Sequence, residues 1–255
     1  MRKYSSLLVV LLLMLASFAA GAQEYQRGDV NQDGAVSIGD VTSLIDYLLS
    51  GSWTDDPVTP PEEHEWVDLG LPSGTLWATC NVGASSPEEY GDYFAWGETE
   101  PKEEYDWNNY KWCNGSENTM TKYCSNSSFG IVDNKTELDP EDDAAYVNWG
   151  PSWRMPTHEQ QKELLDNCTW EWTAYFGVTG CLFTGPNGNT LFFPGAGYHY
   201  YDIWSGNDDG GICWSRTIDP EYNYACYFNF YMFGVSCNFS SRRMDGFTVR
   251  AVRIP

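Results

Sequence analysis

The chain has 255 residues, and its 36 acidic and 14 basic side chains leave a net charge of −22. Such acidity excludes nucleic acid and anionic membrane surfaces as partners, because a polyanion gains nothing by meeting another. With 12 Trp, 17 Tyr and 12 Phe there is ample apolar surface for a core, so disorder throughout is excluded as well.

Residues 1–22 read as an export signal. Arg2 and Lys3 open it, LLVVLLLMLASFAA forms its apolar run, and Ala20-Gly21-Ala22 is a small-residue cleavage site. That run is short for a membrane span and no other segment reaches its length, so the mature chain is expected to lack a transmembrane segment. It would then be secreted, to the periplasm or the cell surface. Eight cysteines (80, 113, 124, 168, 181, 213, 226, 237) follow the signal, which predicts some structural disulfides beside some buried thiols. None has CxxC spacing, and His64, His158 and His199 are far apart, so a zinc site is not expected.

Residues 29–40 read DVNQDGAVSIGD. Asp29, Asn31, Asp33, Ala35, Ser37 and Asp40 stand at loop positions 1, 3, 5, 7, 9 and 12, with Gly34 at the sharp turn. A hard, oxygen-seeking Ca²⁺ needs this alternation of side-chain oxygens and a backbone carbonyl, so calcium is the expected cofactor. Ile38, Val41, Ile45 and Leu48, flanked by Leu44 and Leu49, give the spacing of an amphipathic helix that stops at Ser50-Gly51. Loop and helix together resemble one type I dockerin repeat, here residues 23–51, and that resemblance implies a cohesin-like partner. Dockerins carry two such repeats and this chain has one. Its single apolar stripe needs cover from elsewhere. Residues 52–64 follow with three prolines and several acids, a stiff solvated spacer in which His64 is expected to be exposed.

From residue 65 short apolar runs alternate with Gly, Asn, Ser and Pro clusters, the texture of a loop-rich domain with many strands. Thr157 and Gln160 have the spacing of a capping box before Leu164 and Leu165, which predicts a helix. EDDAAYVNW (141–149) predicts a second, shorter one, with Asp142 and Asp143 at its positive end. Helices first and strands after them describe an α+β domain. EWVDLGLPSGTLWATCNVGASSPEEYGDYFAWGE (65–98), WRMPT (153–157), LFFPGAGY (191–198), CWSR (213–216) and GFTVRAVR (246–253) occur in a fixed order. Together they resemble the Fibrobacter succinogenes major paralogous domain of secreted Bacteroidota proteins, which implies that residues 65–255 form one domain. The family is similar to C-type-lectin-like folds, including that of formylglycine-generating enzymes. The resemblance implies an irregular mixed domain of two helices and several short antiparallel strands, with the last strands returning beside the first. No settled activity comes with the likeness; the dockerin resemblance is what implies an association with extracellular polysaccharide processing and carbohydrate metabolism.

No GxSxG, HExxH or phosphate loop occurs. Cys213 and Cys226 fall where formylglycine-generating relatives keep a cysteine pair, but the rest of that motif is missing, so a non-enzymatic chain is expected. The EPN-like and WND-like triplets of calcium-dependent lectins are missing too. The informative stretch is 198–247, with YHYYDIW, EYNYACYFNFYMF and SCNFSSRRMDGF. If Phe228 and Phe230 face the core, as the resemblance suggests, alternation turns Tyr227, Asn229 and Tyr231 outward. With Tyr200, Tyr201, Trp204 and Asn238 they would make an aromatic recognition surface for an extracellular protein or glycan, and Arg242 and Arg243 would add planar donors at its rim. The same segment resembles the variable region of retroelement-diversified receptors. Two functions compete: a displayed binding module, and a scaffold-assembly component docked through its calcium repeat. The proposed recognition segment lies in the nearly neutral third of the chain. Residues 66–150 hold sixteen acids and four Lys, whereas 151–255 hold ten acids and seven bases.

Overall fold

A computed structural model describes residues 64–253, apart from 202, 207, 208, 220 and 222, together with Leu44. The export signal, the calcium loop and residues 52–63 of the spacer lie outside the described residues. Those from 64 onward belong to the unit Glu62–Pro255. The fold is mixed α+β and mostly β. No helix among the described residues is long and apolar enough to cross a membrane.

The unit begins with β1 (Trp66–Asp68), β2 (Leu76–Ala78) and β3 (Tyr93–Phe94). A long irregular stretch leads to a 3-10 turn at Pro140–Asp142 and to helix α1 (Ala144–Trp149). Helix α2 (His158–Asn167) follows. Asp143 caps α1, and Thr157 and Gln160 close both halves of the capping box on α2, as their spacing predicts. The buried side of α2 is Gln161 and Leu164, with Leu165 partly covered.

Strands β4 (Thr169–Tyr175), β5 (Val178–Thr184) and β6 (Thr190–Pro194) form an antiparallel meander. Tyr175 pairs with Val178, so only Phe176 and Gly177 turn the chain, at φ of 47° and 88°. Positive φ at both positions matches the right-handed strand twist, and glycine supplies one of them without strain. A small ribbon of β7 (Tyr198–Tyr200) and β8 (Ile203–Ser205) comes next. The remaining strands are β9 (Gly210–Asp219), β10 (Tyr224–Tyr231), β11 (Gly234–Ser241), β12 (Phe247–Thr248) and β13 (Val252–Arg253). They form a five-stranded sheet in the order β11-β10-β9-β12-β3, while β13 leaves it to pair with β2 in the sheet β1-β2-β13. The last strand therefore closes on the first hairpin.

Both faces of the five-stranded sheet are covered, and this decides the site. On one face Cys213, Phe228 and Phe230 pack with Phe183, Phe193 and Leu164. On the other, Ile212, Trp214 and Phe247 join Phe94, Trp96, Trp149 and Trp153. Trp214 and Phe247 stack at 4.0 Å. A third cluster gathers Tyr105, Tyr110, Met120, Cys124 and Met244.

Two sequence expectations are corrected here. His64 is not a free spacer residue, because its ring stacks on Trp149 with centroids 3.8 Å apart. All eight cysteines are free thiols, so the expected disulfides are not formed. Several thiols have local partners instead. Cys80 donates to Ala84 O, Cys124 donates to Asn126 O, and Cys213 lies 3.1 Å from the Thr248 hydroxyl.

Candidate functional site

The exposed part of the last sheet is built from its period-2 register. Phe228 and Phe230 are 1% exposed, which fixes Tyr227, Asn229 and Tyr231 on the opposite face. That face is only partly free. Tyr227 is half-buried, its ring 6.4 Å from Trp214 and 5.5 Å from Phe247, because the Trp214 core reaches under it. Tyr231 is exposed and lies across Gly210, where an added Cβ would stand 2.1 Å from its ring. Asn229 sits between them, half-buried, its Oδ1 without a hydrogen-bond partner among the described residues.

Two residues that sequence reasoning missed join this surface, the first by pairing across to β11. Tyr227 faces Phe239 and Asn229 faces Ser236, so β11 carries one residue more than β10 over this step. The bulge places Asn238 on the exposed surface and sets Phe239, also exposed, against Tyr227 at 6.3 Å in a stacked pair. Only the hairpin register signals Phe239, because its immediate neighbours are unremarkable serines and asparagine. Tyr198 is the second addition on the other side. Together with Ser205, Gly210, Ile212 and Tyr231 it lines a groove of about 210 Å³.

The ribbon β7–β8 places the remaining predicted residues. Tyr200 and Tyr201 meet edge to face at 4.5 Å. The Arg242 guanidinium lies 4.4 Å over the Tyr200 ring and donates to its Oη at 2.8 Å. This makes Arg242 a half-buried planar donor held against a ring. Trp204 is exposed, and its Nε1 donates to Tyr93 Oη and Ala196 O. Arg243 corrects the sequence reading. It is fully buried, with Nη1 donating to Lys122 O and Tyr123 O and Nη2 to Asn223 Oδ1, while its guanidinium lies 5.6 Å from the Trp96 ring centre. The turn that follows β11 carries it inward, where carbonyls replace water. It takes no part in a rim.

Asp245 stands beneath this surface. Its Oδ2 accepts from Ser241 Oγ at 2.8 Å and lies 3.9 Å from Arg242 Nε, while Oδ1 is buried without a partner among the described residues. Burial pushes the carboxyl up from 3.8 to about 6, and Ser241 and Arg242 offset this only in part. The folded state thus holds the proton more tightly than the unfolded chain does. The stabilisation from the neutral form is complete below the unfolded value and is lost as the pH rises through the folded one. Asp245→Asn is therefore expected to raise the unfolding free energy by about 1–2 kcal/mol at neutral pH and to change it little near pH 4. Urea titrations at the two pH values check this.

Away from this surface, Asp139, Glu141 and Asp142 bring carboxylate oxygens within 4.8 Å of one another and could hold a metal ion. In the protein as it stands a lysine does that work. Lys122 Nζ is 2.6 Å from both Asp139 and Asp142, Lys111 is 3.1 Å from Asp142, and Tyr123 Oη donates to Asp142 at 2.6 Å. Burial disfavours the charged Lys122, but the bonds to Asp139 and Asp142 outweigh it and hold the ammonium above its ordinary range. The expected calcium ligands Asp29, Asn31, Asp33, Ala35, Ser37 and Asp40 lie outside the described residues.

No protein-family model matches the chain, and no curated protein or solved structure matches it either.

Proposed function

We propose that the chain is a secreted or surface-displayed, non-enzymatic binding module of the Fibrobacter succinogenes major paralogous type on a C-type-lectin-like scaffold. The observation that carries this reading is the row Tyr231, Asn229, Tyr227 and Phe239 on one face of the last hairpin. Flat rings give large contact area at small entropy cost, and the intervening amide and hydroxyls supply adaptable hydrogen bonds to a glycan or protein. Arg242 on Tyr200 adds a positioned donor at one end. The return of β13 to the first hairpin supports the scaffold assignment. A second reading rests on the loop DVNQDGAVSIGD, in which one Ca²⁺ organises a repeat that docks a cohesin-like partner and the large domain is cargo.

The test is capture by the full chain on glycan and protein arrays, in calcium and in chelator. Tyr231→Ala with Phe239→Ala is expected to weaken capture at least about tenfold. Because both side chains are exposed, the unfolding midpoint should hold. Capture that survives this double variant but disappears in chelator would transfer the function to the calcium repeat.

A further inference from the structure

Three of the seven basic residues between 151 and 255 converge on one pocket. It has a volume of about 290 Å³ and is open to solvent, with Arg154, Arg216 and Arg253 on its walls beside Ser152 and Gln160. The fold sets each of them. Arg154 and Val252 exchange both backbone hydrogen bonds, at 2.9 and 2.8 Å, so Arg154 stands against β13 and its next residue, Arg253. Arg216 comes from β9, with its backbone N–H donating to Pro156 O at 2.8 Å. Gln160 belongs to the first turn of α2 and brings the positive end of that helix to the same place.

The counter-charges are too few. Arg216 pairs with Glu137 at 3.0 Å. Arg154 and Arg253 make no ion pair among the described residues; their guanidinium carbons lie 4.5 Å from the Tyr146 ring centre and 5.6 Å from the Trp153 ring centre. The Nε of Arg253 is buried and has no acceptor there. Asp143 is close enough to interact with Arg154 and Arg216 through space, but its oxygens are taken by the N–H groups of Ala145, Tyr146 and Met155. Two guanidinium forks without a carboxylate partner beside a third that has one, gathered in a chain of net charge −22, are an arrangement that an incoming anion completes.

We infer that this pocket binds an oxyanion: a carboxylate, sulfate or phosphate group, free or at the end of a saccharide. Its size is at the small end of ligand pockets, roughly 300–1,000 Å³, so it takes one anionic group or one terminal acidic residue and not a whole chain. The site shares no lining residue with the aromatic row and does not depend on it.

Titration of the full-length protein by calorimetry and by thermal denaturation tests the inference. Sulfate, phosphate, acetate and a hexuronate are compared with sodium chloride at equal ionic strength and with a neutral hexose. Saturable binding and a raised midpoint are expected with the oxyanions and not with chloride or the hexose. Arg253→Gln is expected to weaken binding by at least about tenfold. Ser152→Asp, which puts a carboxylate at the exposed mouth without touching the core, is expected to do the same with the midpoint in chloride unchanged. A hexuronate that binds more tightly than acetate identifies an acidic saccharide as the source, and tighter sulfate or phosphate identifies the free or esterified anion. Midpoints that track ionic strength alone, or binding equally strong in Ser152→Asp and Arg253→Gln, would overturn the inference.

Discussion

Replacing Arg250 by alanine is expected to lower the unfolding free energy by about 4 kcal/mol. Arg250 is fully buried, and its guanidinium serves as an internal solvent for three backbone carbonyls and one side-chain amide. Nε donates to Asn81 Oδ1 at 2.8 Å, and Nη1 reaches Phe192 O at 2.9 Å and Ala78 O and Thr79 O at 3.3 Å. One side chain thus ties the end of β2, β6 and the closing segment together, with its charge 4.3 Å over the Phe193 ring. Burial pulls the guanidinium down to about 10, still charged at neutral pH, so the loss should not depend on pH between about 5 and 8. Arg250→Met keeps most of the packing and removes the cost of a buried charge, so about 2 kcal/mol is expected, mainly from orphaned acceptors. Urea denaturation of both variants decides the matter. A methionine variant as stable as the parent would show that the carbonyls find other partners.

The second large effect is expected at Asp143, which is 0% exposed. Its carboxylate caps α1 through the N–H groups of Ala145 and Tyr146, at 3.0 and 3.1 Å, and both oxygens accept from Met155 N at 3.0 Å. The helix start is thereby joined to the segment that carries Arg154 into the oxyanion pocket. Asp143→Ala strands two buried donors and a part-buried one and should cost about 3 kcal/mol, whereas Asp143→Asn keeps an acceptor and should cost about 1. Hydrogen exchange at the Met155 amide, read beside global unfolding, tests the assignment. Protection at Met155 should fall in Asp143→Ala by more than the global loss explains. Unchanged protection relative to the global value would remove Asp143 from that role.

The parts of the fold legible in the sequence are those whose causes are local. Thr157 and Gln160 announce α2 because a capping box is a contact three residues long. Asp143 announces α1 because an N-cap needs only the first turn. Alternation assigns Phe228 and Phe230 to one face because the strand has period 2. Arg242 and Arg243 lie beyond the end of β11, so no strand rule says which of them goes inside. The carbonyls that receive Arg243 belong to Lys122 and Tyr123, about 120 residues earlier in the chain. His64 shows the same limit, for the ring it stacks on is that of Trp149.

For the candidate surface, composition singled out the segment and the tertiary structure selected its members. Tyr227 is half-buried because Trp214 and Phe247 fill the layer beneath it, a condition set by strands β9 and β12. Phe239 joins the row only through a bulge in the pairing of β10 with β11. The oxyanion pocket has no local signal at all: Arg154, Arg216 and Arg253 stand on three separated segments that meet because β13 returns to the first hairpin and to Arg154. The acidity with which the chain announces itself is likewise redistributed by folding. Some acids of the front half pair with Lys111, Lys122 and Lys135, whereas Arg154 and Arg253 make no ion pair among the described residues. Sequence by itself determined the caps, the strand faces and the aromatic surplus, because these depend on neighbours within a few residues. Which rings stay exposed, which arginine is buried and where unpaired charge collects were decided by long-range packing, since each depends on what a distant segment places against it.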